Sequence, residues 1–328
     1  MAAQGQPVEV RTFQSEHEIQ SEPGFVEHYL VHKENYERLL GDYRLADKMR
    51  CCLKNKAGGL CGQPHNYGFV VRLKDGSVSI IGNRCGKSHF DADSQVAKDM
   101  NLYANAKRRL ETQQRVAELL RDKEDSTAQI QTMHASLLEL TKRVGAISAN
   151  LGVGCIDQLR TIARGTGRVV AIGVRIRPYE ENGEKLFERQ KLTITIGSLR
   201  GTRVFLLERI RSIRNQLQQV MNAYRTAEAM DGSVSTKELA SVAATLSDLP
   251  RIIAEGQVHV QGLKEFEDCD WMPLAFLVRD QGERYKIARL VLNHTGSLAG
   301  KDKAKEWLQQ IESRVKESNG VDRLEIMY

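Results

Sequence analysis

The stretch that decides how this chain is read runs Cys61-Gly-Gln-Pro-His65-Asn-Tyr-Gly-Phe69-Val-Val-Arg-Leu-Lys-Asp75-Gly-Ser-Val-Ser-Ile-Ile81-Gly-Asn-Arg-Cys85-Gly-Lys-Ser-His89. Its middle predicts two strands joined at Asp75-Gly76, because Asp-Gly readily takes the positive backbone angles of a tight hairpin turn. Alternation along the first strand places Phe69, Val71 and Leu73 on one face and Arg72 and Lys74 on the other. A cysteine precedes the hairpin, and a C-x3-H pair follows it at the entry to a helical stretch.

Four of the six cysteines fall between Cys51 and Cys85, while Cys155 and Cys269 stand alone. The N-terminus is polar and acidic, without the apolar core of an export signal, which points to an intracellular, cytoplasmic protein with reduced thiols. Clustered cysteines in that setting suit a metal better than disulfides, and the isolated pair read as buried thiols. Zinc takes four nitrogen or sulfur donors in a tetrahedron, commonly as two pairs from two turns. Here Cys85 and His89 form the second pair. Cys61 belongs to the first, with Cys52 as the favoured fourth ligand and His65 or Cys51 as alternatives. The order turn, hairpin, turn, helix over residues 50–95 resembles a treble-clef zinc finger. That resemblance implies Cys61 on the first knuckle and Cys85 and His89 at the start of the helix. The long spacing from Cys52 to Cys61 departs from the usual C-x2-C pair. Gly82 to Ser88 also approaches a phosphate-binding P-loop, but one residue too few separates its glycines.

Charge is distributed unevenly along the chain. Residues 1–47 carry nine acidic and four basic side chains, whereas residues 48–89 carry eight basic ones against the single acid Asp75. Such a basic module suits a polyanion, since lysine and arginine displace the counterions condensed on phosphate. Lys54, Lys56, Arg72, Lys74, Arg84 and Lys87 are the candidate nucleic-acid contacts, with Tyr67 available for stacking. The acidic N-terminal residues are placed to fold back on the module and mask it. A second basic area gathers Arg175, Arg177, Arg200, Arg203, Arg211 and Arg214.

Outward from the module, the expected architecture is mainly helical with small β-hairpins, an α+β chain. Its segments are an acidic N-terminal stretch (1–47), a zinc module (48–92), a long helix or helical hairpin (93–150) and a mixed C-terminal domain (151–328). A helix is expected over residues 26–40. Apolar residues recur at three-and-four spacing from Val96 to Leu120 and again at Ile130, Met133, Leu137, Leu140, Val144 and Ile147, the seam of a coiled-coil-like helix. The polar run 121–127 between them suits either an exposed stretch of one helix or the turn of a hairpin. A second hairpin is read from Val170, Ile172, Val174 and Ile176 against Leu192, Ile194 and Ile196, with a loop at 178–185. A helix over 204–229 presents Leu206, Ile210, Ile213, Leu217, Met221 and Tyr224 as a partner stripe for the Ile130–Ile147 seam. Ser235 and Glu238 form a capping box, Pro250 ends that helix or opens another, and a last helix lies near 301–317.

No apolar run approaches the length of a membrane span. Neither H-E-x-x-H nor G-x-S-x-G is present, and His28 and His32 lack a third ligand or base, so nothing points to an enzyme. The function expected is non-enzymatic binding of nucleic acid through a zinc-containing module, with helices supporting self-association. The rival is a helical scaffold for a protein complex with a purely structural zinc. The Ile81-Gly82 lead into Cys85 is similar to small zinc modules of bacterial and phage-encoded proteins, which implies a bacterial or mobile-element setting.

Overall fold

The computed structural model describes residues 9–89, 94–182, 184–231, 233–297 and 300–328, with the backbone alone for His89. The chain divides into two compact units, Met1–Glu118 with Val234–Ala240, and Leu119–Ser233 with Ser241–Tyr328. The fold is α+β, mostly helical with two small sheets. No helix among the described residues is long and apolar enough to cross a membrane.

The first unit begins with β1 (Thr12–Phe13) and a short helix α1 (Glu16–Gln20), capped by Ser15 Oγ accepting from Glu18 N. A four-stranded sheet follows in the order β1-β2-β3-β4, from β2 (Tyr36–Arg50), β3 (Pro64–Leu73) and β4 (Val78–Gly82). The helix expected over 26–40 is therefore absent. Residues from Tyr36 onward are extended and pair antiparallel with β3, because the sheet offers their backbone groups partners that a local amphipathic reading does not see. The hairpin at Asp75-Gly76 forms as read: Gly76 has φ +86, and Asp75 Oδ1 accepts from Ser77 N at 2.9 Å. The two faces of β3 are less unequal than simple alternation implies. Phe69, Val70, Val71 and Leu73 are all buried, since β3 lies inside the sheet and both its faces are covered.

After α2 (Asn83–His89), helix α3 (Gln95–Arg121) anchors on this sheet through its first turns. Val96, Met100 and Tyr103 are buried, and Tyr103 meets Phe69 edge-on with ring centroids 6.1 Å apart. Asp42 is the polar pin: its buried carboxylate accepts from Lys107 Nζ (2.6 Å), Thr12 Oγ1 (2.8 Å) and Tyr103 Oη (2.9 Å). A buried carboxylate is tolerable here because a cation and two hydroxyls satisfy it. Further along α3, Leu102 and Leu110 are exposed.

In the second unit α4 (Lys123–Leu151) follows after a single residue, Asp122, at φ −93 and ψ 14. The polar run thus holds a one-residue interruption, too short for a hairpin loop. α4 buries Ile130, Met133, Leu137, Leu140 and Val144, the expected seam, against two later helices. These are α6 (Leu207–Ala229), burying Ile210, Ile213, Leu217, Val220 and Tyr224, and α8 (Leu249–Glu267), burying Ile252, Leu263 and Phe266. Between α4 and α6 come α5 (Val153–Ala163), β5 (Arg168–Glu181), β6 (Glu184–Ser198) and a 3-10 turn, Thr202–Phe205.

The second hairpin exists, but its strands run to Glu181 and from Glu184, and its core face follows the expected alternation only in part. Val174 and Ile194 are buried as expected, but so are Val169 and Ala171, while Val170, Ile172 and Ile176 are half-exposed. A register shift between Val169 and Val170 changes which side of the strand faces the core, and the small Ala171 and Gly173 carry little weight in an apolar pattern. Ser235 and Glu238 make the capping box of α7 (Thr236–Ser247), with bonds of 3.1 and 3.2 Å between each backbone N–H and the other's side chain. Pro250 opens α8. α9 (Gln281–His294), α10 (Lys301–Asn319) and β7 (Arg323–Ile326), paired with β5, complete the chain.

Candidate metal centre and basic surface

The sulfurs converge because a small loop folds back on the end of β2. Cys51 N donates to Gln63 O at 3.1 Å, and Gly62 N returns a bond to Cys51 O at 2.9 Å. Between them Lys54 bridges to Leu60, and Asn55 Oδ1 accepts from Ala57 N and Gly59 N, closing the turn. Cys51 and Cys61 therefore lie side by side. Cys85 reaches them from the first turn of α2, directly after β4 has carried the chain back. The three sulfurs all lie within 4.8 Å of one another, with Cys61 Sγ and Cys85 Sγ 3.6 Å apart. Zinc–sulfur bonds of about 2.3 Å at tetrahedral angles require sulfurs about 3.8 Å apart. The donor set and its spacing fit a thiophilic ion.

Burial and the crowding of sulfurs raise the Cys85 thiol to about 12, and burial also raises that of Cys51. Gly82 N donates to Cys51 Sγ at 3.4 Å, a contact that favours a thiolate there. Adjacent residues of an extended chain point to opposite sides, so Cys52 does not join the cluster. Its Sγ donates to Arg50 O at 3.6 Å. His65 also stands apart, with Nε2 2.5 Å from Tyr43 Oη and Nδ1 3.1 Å from Gln63 O. Both ring nitrogens are thus engaged within the protein. Gly82 makes room for that ring, since a Cβ at this position would sit 3.1 Å from His65 Cγ. The side chain of His89 lies outside the described residues. Its backbone belongs to α2, four residues after Cys85. Cys155 and Cys269 are buried free thiols, as read.

The six candidate nucleic-acid contacts of the module divide into two groups. Lys54, Lys56, Arg84 and Lys87 are exposed on the loop and helix that carry the sulfurs, and they form no ion pair among the described residues. Arg72 is half-buried and turned toward Glu22, 3.7 Å away, while Lys74 Nζ donates to Glu34 O at 2.7 Å. Among the described residues, the N-terminal stretch thus meets Arg72 with an acidic side chain and Lys74 with a backbone carbonyl. Tyr67 stays 40% exposed, open enough for a flat ring to stack on. In the second basic area, Arg175 is engaged by Asn319 O and Gly320 O.

Comparison with protein-family models, with curated proteins and with solved structures finds no match to this chain.

Proposed function

We propose that the first unit is a zinc-stabilised module that binds nucleic acid. Cys51, Cys61 and Cys85 supply three thiolates. His89 supplies the fourth donor, because residues four apart share a helix face and a C-x3-H pair is a common zinc spacing. The ion's part is structural: it ties the loop 51–62 to α2 across the end of the sheet, as in a treble-clef arrangement. Because burial favours the protonated thiols, metal uptake releases protons. The observation that carries the reading is the coincidence of the sulfur cluster with four exposed cations on the same two elements, none in an ion pair among the described residues. Fixing those elements with an ion turns separate lysines and arginines into one surface that tracks a phosphate backbone.

The alternative, a helical scaffold with a structural zinc, has weaker support. The apolar stripes of α4 and α6 that suggested a partner helix are buried within the second unit. Titration of the full chain with labelled single- and double-stranded DNA and RNA at low salt tests the proposal. Binding that weakens steeply with salt, and weakens again when Lys54, Lys56, Arg84 and Lys87 become glutamine, supports it. Binding that is absent, or indifferent to those substitutions, refutes it.

A further inference from the structure

The second unit holds two adjoining clefts of about 470 and 490 Å³, which share Ala163, Arg203, Val258 and His259 in their walls. Volumes of this size suit a small ligand. Their rim is built from two short loops laid against α8. Leu199 N donates to Gly167 O at 2.9 Å, joining loop 165–167 to turn 198–202. Gly201, at φ +64, presses so closely on α8 that a Cβ there would sit 1.8 Å from Gly262 O. Only glycine permits this approach, and the result is a rim fixed to the helix. From it and from the first turn of α6 project Arg200, Arg203 and Arg209, all exposed and none in an ion pair among the described residues.

We infer that these clefts bind phosphoryl groups, with Arg203 in the wall they share, Arg200 in one cleft and Arg209 in the other, beside His259. Guanidinium groups match the geometry of phosphate oxygens and bind them through paired, charge-assisted hydrogen bonds. His259 is the second, independent sign of a ligand. It lies in the wall that both clefts share, is 8% exposed, and its buried Nδ1 has no hydrogen-bond partner among the described residues. An imidazole nitrogen in that state costs free energy unless a polar group meets it. Burial lowers the His259 pKa; Glu255 opposes that, and Arg203 and Arg209 add to it, so both arginines lie close enough for the ring to feel their charge. Two carboxylates line the clefts against four arginines (Arg164 is the fourth), and Glu255 is already within 3.6 Å of Arg251. Val258, 62% exposed, adds an apolar patch on which the rest of a phosphorylated molecule can rest.

This site lies in the other unit from the cysteines and does not rest on the zinc reading. The test uses the full chain with two probes, pyrophosphate and a labelled single-stranded oligonucleotide. Arg200→Gln with Arg203→Gln is the main variant and Arg209→Gln the second; exposed side chains make both safe for folding, which the ligand-free melting temperature checks. We expect saturable binding that weakens at least about tenfold in the double variant, the loss of one or more charge-assisted bonds. If pyrophosphate alone shows this, the phosphate comes from a small molecule; if only the oligonucleotide does, it comes from a strand. Substituting Lys54, Lys56, Arg84 and Lys87 leaves the Arg200- and Arg203-dependent component unchanged. Failure of both probes to bind, or equal binding by wild type and both variants, overturns the inference.

Discussion

Cys51 and Cys52 are neighbours with opposite surroundings, and they give the sharpest test at the scale of single residues. Cys51 faces Cys61 and Cys85, whereas Cys52 bonds back to Arg50 O. Cys51→Ser is therefore expected to abolish stoichiometric zinc binding, while Cys52→Ser retains one ion per chain; metal analysis after dialysis distinguishes them. From sequence, Cys61 and Cys85 could be picked out, but the choice between Cys51 and Cys52 could not. It depends on which side of an extended strand faces the loop, and one residue of register reverses the answer. A separate prediction concerns Cys155, whose thiol burial and then Glu283 push up to about 12. A group whose pKa is raised on folding gives stability that is complete below its unfolded value and is lost as pH rises toward the folded one. The second unit should accordingly lose stability from about pH 9 upward, near the ordinary thiol range. Cys155→Ala should flatten that part of the profile, measured by denaturant unfolding at stepped pH.

At the scale of elements, α4 shows where periodicity is a reliable guide. Its seam was legible because three-and-four spacing is a property of the helix itself, and the same residues are buried against α6 and α8. Leu137 is fully buried and Leu138 is 38% exposed, although the two are adjacent. Leu137→Ala should cost roughly 2–5 kcal/mol through reduced burial and the cavity left behind, and Leu138→Ala under about 1 kcal/mol. Equal effects on unfolding would mean that α4 turns a different face to α6 and α8. Strands were less legible for an equally physical reason. Tyr36 to Arg50 is extended only because β3 pairs with it, a long-range fact with no local signature. On β5 the core takes Val169 and Ala171 beside the expected Val174, and the register shift next to Val169 that causes this has no local signature.

At the scale of the whole molecule, net charge says less than where the charge is left unpaired. The chain is only +6 overall, yet Lys54, Lys56, Arg84 and Lys87 gather on the two elements that carry the sulfurs, while Arg72 and Lys74 are taken up by the N-terminal stretch. Counting charges along the sequence located the basic module but could not separate these groups, since pairing across the fold decides which cations remain available. Neutralising the first four should lower nucleic-acid affinity and reduce the salt slope by about 0.9 for each duplex phosphate that no longer meets a cation. Neutralising Arg72 and Lys74 should leave that slope nearly unchanged; fluorescence anisotropy across a salt series measures both. The common requirement is an ion that ties the loop 51–62 to α2. The most direct test is the metal content of the full chain, purified without chelator and compared with the triple variant Cys51→Ser, Cys61→Ser, Cys85→Ser. The account predicts about one zinc per wild-type chain and none in the triple variant. A metal-free wild type that stays metal-free when zinc is supplied, or a triple variant that keeps its zinc, would contradict it.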